Sequence, residues 1–130
     1  MIRTLIDTSA YSSFMRGNPT FKQAVQKIDA IYFNPIVIGE LLTGFLKGKR
    51  REENKKELDV FLSSPRVKIL EINEETGEKY AVILNALWKA GTPVPTNDIW
   101  IAASAMQYGL RVLTSDMHYG KIPQITADIL

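Results

Sequence analysis

Ile2-Arg3-Thr4-Leu5-Ile6-Asp7-Thr8-Ser9 opens with a short apolar, β-branched run that stops at a carboxylate. A run this brief, closed by polar turn-forming residues, reads as a buried strand over Ile2–Ile6. The form returns near the other end, where Arg111-Val112-Leu113-Thr114 leads into Ser115-Asp116. Both aspartates lie just past the C-terminal end of an expected strand.

Helical and strand-like segments alternate between these two points. Thr8 to Arg16 reads as a turn and short helix, punctuated by Gly17-Asn18-Pro19. Phe21, Ala24, Val25 and Ile28 recur at helical spacing. Ile31–Phe33 is a second strand, and Asn34-Pro35 is a helix start, with a capping side chain before proline at the first helical position. That helix is expected to reach Lys47 and stop at Gly48. A charged helix over Lys49–Leu62 follows, then a break at Ser63-Ser64-Pro65 and a strand over Val67–Ile72. Asn73 caps a helix running to about Gly91. Thr92-Pro93-Val94-Pro95 interrupts, and Thr96 or Asn97 caps a largely apolar helix, Ile99–Tyr108, closed by Gly109. Ile125–Leu130 is the last strand candidate. No internal repeat or low-complexity linker is present.

Strands that alternate with helices imply a mainly parallel sheet covered on both faces. The expected fold class is α/β: a three-layer α/β/α sandwich with four or five central strands, in one domain over residues 1–130. In open sheets of this kind, sites form beyond the carboxyl ends of the strands, where strand order reverses.

Composition sets wider limits. Hydrophobic residues are 45% and charged residues 23%, ordinary for a folded globular chain. The absence of cysteine excludes disulfides and thiolate metal sites, and suits a reducing cytoplasm. No signal peptide is evident, and no apolar run approaches the roughly 18 residues that cross a bilayer. The expectation is a cytoplasmic protein with no membrane association. A net charge of +2 and a pI near 8.9 are compatible with a polyanionic partner without implying one.

Of the 14 acidic residues, most lie on solvated helix faces. Four stand apart. Asp7 leaves a buried strand, although an aspartate there also serves as a helix cap. Glu40 has Ile36, Val37, Thr43 and Gly44 as its helical neighbours, none of them basic. It needs either a bound cation or a distant basic partner such as Arg3, because an unpaired buried carboxylate is costly. Asp98 lies in the first turn of a helix, where the dipole alone favours it. Asp116 follows a strand, where turn formation is the simpler explanation. Taken together, the four suggest convergence along one sheet edge. Like charges so gathered raise one another's pKa, and a hard dication such as Mg²⁺ or Mn²⁺ relieves this. A metal held by acids alone suits phosphodiester hydrolysis better than acyl transfer.

At these residues the sequence resembles the PIN-domain family, and within it the VapC-type ribonuclease toxins of bacterial and archaeal toxin–antitoxin pairs. The matching blocks are LIDTSAY (Leu5–Tyr11), IGELLTG (Ile38–Gly44), PTNDIWIAASA (Pro95–Ala105) and LTSDMHYGKI (Leu113–Ile122), in the family's order from end to end. The resemblance implies a PIN-like fold and an acidic quartet of Asp7, Glu40, Asp98 and Asp116. Asp7 and Asp98 would be direct metal ligands; Glu40 and Asp116 would be ligands or act through water. Thr8, Ser9, Thr114 and Ser115 would steer them from behind. It also implies Mg²⁺- or Mn²⁺-dependent RNA cleavage, a homodimer, and a cognate antitoxin laid over the active-site groove. Tyr119 stands where the family usually has phenylalanine.

Other features are read more plainly. His118, the only histidine, is expected to be an incidental loop residue. The basic run from Lys47 to Lys56 is an RNA-guiding patch, a solvated helix face or an antitoxin-docking region. Trp88 and Trp100 are expected in core or dimer packing. Two other functions compete: an aspartyl-phosphate phosphatase using Asp7, disfavoured by serine at position 9, and a non-catalytic PIN-like binding module.

Overall fold

The computed structural model describes residues 1–130. Five strands form one all-parallel sheet: β1 (Arg3–Ile6), β2 (Ala30–Phe33), β3 (Val67–Ile69), β4 (Arg111–Thr114) and β5 (Thr126–Ile129), in the order β3-β2-β1-β4-β5. Six helices cover it: α1 (Thr8–Met15), α2 (Pro19–Gln26), α3 (Pro35–Lys47), α4 (Arg51–Leu62), α5 (Glu74–Ala90) and α6 (Thr96–Tyr108). This is the expected α/β architecture of PIN type. The crossovers from β1 to β2 and β2 to β3 run in one direction along the sheet and carry α1 to α4. The β3-to-β4 crossover reverses direction and carries α5 and α6. Because such crossovers are right-handed, the two helix groups fall on opposite faces, which makes three layers.

Burial explains the strand composition. Leu5, Ile6, Phe33 and Val112 are fully enclosed, as strands covered on both faces must be. They anchor one continuous cluster of 27 buried apolar residues. Tyr11, Phe33 and Phe61 meet edge to face between α1, β2 and α4. No helix is long and apolar enough to cross a membrane.

Several boundaries differ from expectation. β3 ends at Ile69, not Ile72, because Leu70 donates its amide to Phe33 and no further register pairs exist. α4 begins at Arg51, not Lys49; Gly48 ends α3 in extended backbone and starts the connection. α6 starts at Thr96 after Pro95, with no side-chain cap from Thr96 or Asn97. Asn97 instead donates to Glu40. A 3-10 turn over Met117–Lys121, unforeseen from sequence, follows β4. Trp100 stacks on Tyr80 at 4.1 Å between ring centres. Trp88 is 73% exposed, so the core reading fails for it.

Candidate active site

β1 is the strand at which the order reverses, with β2 on one side and β4 on the other. Pairing of Ile6 with Leu113 brings the ends of β1 and β4 level, so Asp7 and Asp116 leave the sheet side by side. Asp7 is 4% exposed and caps α1, its Oδ1 accepting from the Ala10 amide at 2.8 Å and the Ser9 hydroxyl at 2.7 Å. Its Oδ2 accepts from Thr114 Oγ1 at 2.6 Å. The capping role is therefore real and coexists with a place in the acidic cluster.

Thr114 links the two aspartates, since its hydroxyl also accepts from the Asp116 amide at 2.8 Å. Ser9 adds a second tie: its hydroxyl lies 3.2 Å from Thr114 Oγ1 and accepts from the Ser115 amide at 3.0 Å. Ser115 thus contributes backbone, and its side chain is not part of the network. Asp116 caps the 3-10 turn by accepting from the His118 amide at 2.9 Å.

Glu40 comes from α3, one helix away. It accepts from Thr8 Oγ1 at 2.6 Å and from Asn97 Nδ2 at 3.2 Å. The alternative partner Arg3 is elsewhere, packed over the Tyr32 ring at 5.5 Å. Asp98 lies in the first turn of α6, and Tyr119, itself buried, donates to its Oδ1 at 3.3 Å. The Tyr119 hydroxyl thus holds an acid.

Electrostatics joins the four. Burial pushes Asp7 above the usual carboxylate range against three hydrogen bonds that lower it, and the Asp116 charge adds to the rise. Burial likewise raises Asp98, followed by repulsion from Asp116 and Glu40. Burial and the neighbouring Asp7, Asp98 and Glu40 charges keep Tyr119 protonated, and so a donor. No lysine or arginine forms an ion pair with any of the four acids. The basic run is partly neutralised by its own helix, with Arg50 on Glu53 and Glu57, and Lys55 on Asp59.

Two residues outside the expected set join the site. Asn97 orients Glu40. His118 Nδ1 lies 3.1 Å from Asp116 Oδ1 and 3.4 Å from Asp98 Oδ2. Neither approach is aligned as a hydrogen bond, and Nδ1 is closed to solvent without a partner. Asp98, Asp116 and His118 present one donor atom each, all within 4.8 Å of one another. A lone histidine four residues after a strand gave no signal of this; it depends on the 3-10 turn.

The arrangement is a half-buried anionic cluster whose oxygen donors suit a hard dication. The model of the PIN domain matches residues 4–124. Ribonuclease VapC from Rickettsia bellii is 31% identical over 125 residues, covering 93% of this chain and 91% of the relative. Ribonuclease VapC4 from Mycobacterium tuberculosis is 33% identical over 90 residues, 69% of each chain. In fold, the chain is similar to the crystal structure of VapBC2 from Rickettsia felis bound to a promoter DNA fragment, with a TM-score of 0.87, 22% identity and 99% of each chain covered. With a family model spanning nearly the whole sequence and VapC relatives above 30% identity, this chain belongs to the PIN domain family, in its VapC branch.

Proposed function

We propose that the chain is a metal-dependent endoribonuclease, built as one domain over residues 1–130, and the toxin of a type II toxin–antitoxin pair. One observation supports the reading: Asp7, Glu40, Asp98 and Asp116 come from separated segments, each lies near enough to another to be perturbed by its charge, and none pairs with a lysine or arginine. Ribonuclease names among the VapC relatives point the same way.

Asp7, Asp98, Glu40 and Asp116 would hold Mg²⁺ or Mn²⁺, which when bound supplies charge stabilisation to a reacting phosphodiester and lowers the pKa of water. The protein's part is positional. Thr114, Ser9 and the Ala10 amide fix both oxygens of Asp7. Tyr119 takes one oxygen of Asp98, and the other lies 3.4 Å from His118 Nδ1. Thr8 and Asn97 each take one oxygen of Glu40, so α1 and α6 set its direction together. Serine at position 9, where an aspartyl-phosphate phosphatase would need a second aspartate, disfavours that alternative. A cognate antitoxin and a second copy of the chain complete the proposed partners.

The test is cleavage of RNA by purified protein. Activity is expected with Mg²⁺ or Mn²⁺, lost in EDTA and restored by metal. Asp98→Asn is expected to lower the rate at least a hundredfold with the fold intact. Full activity in EDTA sinks the proposal.

A further inference from the structure

We propose that the cavity between α1, α3 and α4 receives one base of the RNA, and that its donors and acceptors select guanine; this rests on the nuclease reading above. The cavity measures about 240 Å³, below the usual range for a drug-sized ligand, which limits its occupant to one small group. Two observations point to a ligand there. The first is an unmet hydrogen bond. Tyr11 lines the cavity and is 2% exposed, yet its hydroxyl has no partner in the protein. Phe33 and Phe61 meet the ring edge to face, with centres 5.8 and 5.3 Å away, so the hydroxyl cannot swing elsewhere. A buried polar atom left like this is costly until something pairs with it. Burial and the Glu57 charge push its pKa up to about 12, so it stays a donor.

The second observation is the set of polar groups around that hydroxyl. Asn54 and Glu57 of α4 line the same cavity, with Arg16 and Arg50. Arg16 has no ion pair, and Arg50 reaches Glu57 only at 3.5 Å, which leaves the carboxylate able to accept. An acidic side chain from a peptide would be repelled by Glu57; an uncharged base would not. Guanine suits the set. Its O6 and N7 accept from a guanidinium, and its N2 amine donates to a carboxylate. No other RNA base carries that amine. Position puts the cavity on the substrate's path. Its α1 residues run from Tyr11 to Arg16, about 6–14 Å along the helix from Asp7. A base within a few nucleotides of the scissile bond therefore reaches it.

The test is sequencing of the ends left when purified protein cuts a randomised RNA pool with Mn²⁺. Guanine is expected at one fixed position near the cut, favoured about tenfold or more. Inosine lacks only the N2 amine. Placed at that position, it is expected to lower kcat/KM about tenfold in the unmodified chain and not in Glu57→Gln. Tyr11→Phe keeps the ring and removes the idle hydroxyl, so Tm is expected unchanged or higher while the guanine preference falls several-fold. A tyrosine with a merely structural role would show the reverse. RNA cut without a base preference, or an inosine penalty that survives Glu57→Gln, overturns the pocket and leaves the nuclease reading standing. No cleavage with Mn²⁺ or Mg²⁺ sinks that reading. Fluorescence anisotropy then decides the pocket: tighter binding of a guanine-containing oligonucleotide than of its inosine counterpart supports it, and equal binding overturns it.

Discussion

Thr114 is where the two strand-end aspartates depend on one hydroxyl. It is fully buried, donates to Asp7 Oδ2 and accepts from the Asp116 amide. Thr114→Val keeps the shape and leaves both partners unpaired, so it should cost about 1–3 kcal/mol. Metal affinity should fall by roughly 10–100-fold, because the ligands lose their orienting partner. A urea midpoint and a Mn²⁺ titration measure the two effects; an unchanged midpoint rules out the assigned role. Tyr119→Phe is the milder case. Its longer 3.3 Å bond to Asp98 contributes about 0.5–1.5 kcal/mol, which predicts a loss of metal affinity of at most tenfold and little change in stability. At this scale Asp7, Asp98 and Asp116 stood out because each sits where a strand ends or a helix begins, and Glu40 because its helical neighbours give it no counter-charge. Asn97 and His118 were not. Asn97 acts on a residue 57 positions away, and His118 acts through a turn that no periodicity announces.

Elements bring those residues into register, and Asn34 is the joint between two of them. It is fully buried; its Oδ1 caps α3 at the Val37 amide and its Nδ2 donates to Ser104 of α6, each at 3.0 Å. α3 carries Glu40 and α6 carries Asp98, so this one amide sets the distance between two candidate ligands. Asn34→Ala removes a cap worth about 1 kcal/mol and orphans a buried hydroxyl, for a total near 2 kcal/mol. RNA cleavage should fall with it. Asn18→Ala is the control: that exposed residue caps α2 through the Thr20 and Phe21 amides, away from the acids. It should cost about 1 kcal/mol and leave cleavage unchanged. Equal losses of cleavage in both variants, measured where both are folded, sink the joint. Asn34-Pro35, Asn73 and Gly109 could be read in advance because capping is local chemistry. The true ends of β3 and α6 could not. β3 stops where the register with β2 runs out, and Asn97 leaves its expected cap for Glu40 because tertiary contact overrides propensity.

Across the whole molecule, the cluster makes stability and metal binding respond to pH in opposite senses. Asp7 and Asp98 have folded pKa values raised above 3.8, so their charged forms destabilise the metal-free fold. That penalty is full above the folded values and disappears as pH falls toward 3.8. Asp128 has the other sign. Arg111 holds it below 3.8 through two hydrogen bonds of 2.6 and 2.8 Å, so its contribution is kept above 3.8 and lost only below. The two windows do not overlap. Metal-free protein should therefore melt higher as pH drops from neutral toward the carboxylate range, then lower again below it. With Mg²⁺ or Mn²⁺ at a hundred times Kd the slope reverses. Bound ion adds about 2.7 kcal/mol at neutral pH, roughly 10 °C in Tm, and protons compete it away as pH falls. Asp7→Asn with Asp98→Asn should flatten both limbs, because neither the repulsion nor the ligands remain. Thermal melts at several pH values, in EDTA and in metal, decide the matter. Parallel slopes under the two conditions mean that Asp7 and Asp98 are not a shared cation site, whatever their geometry.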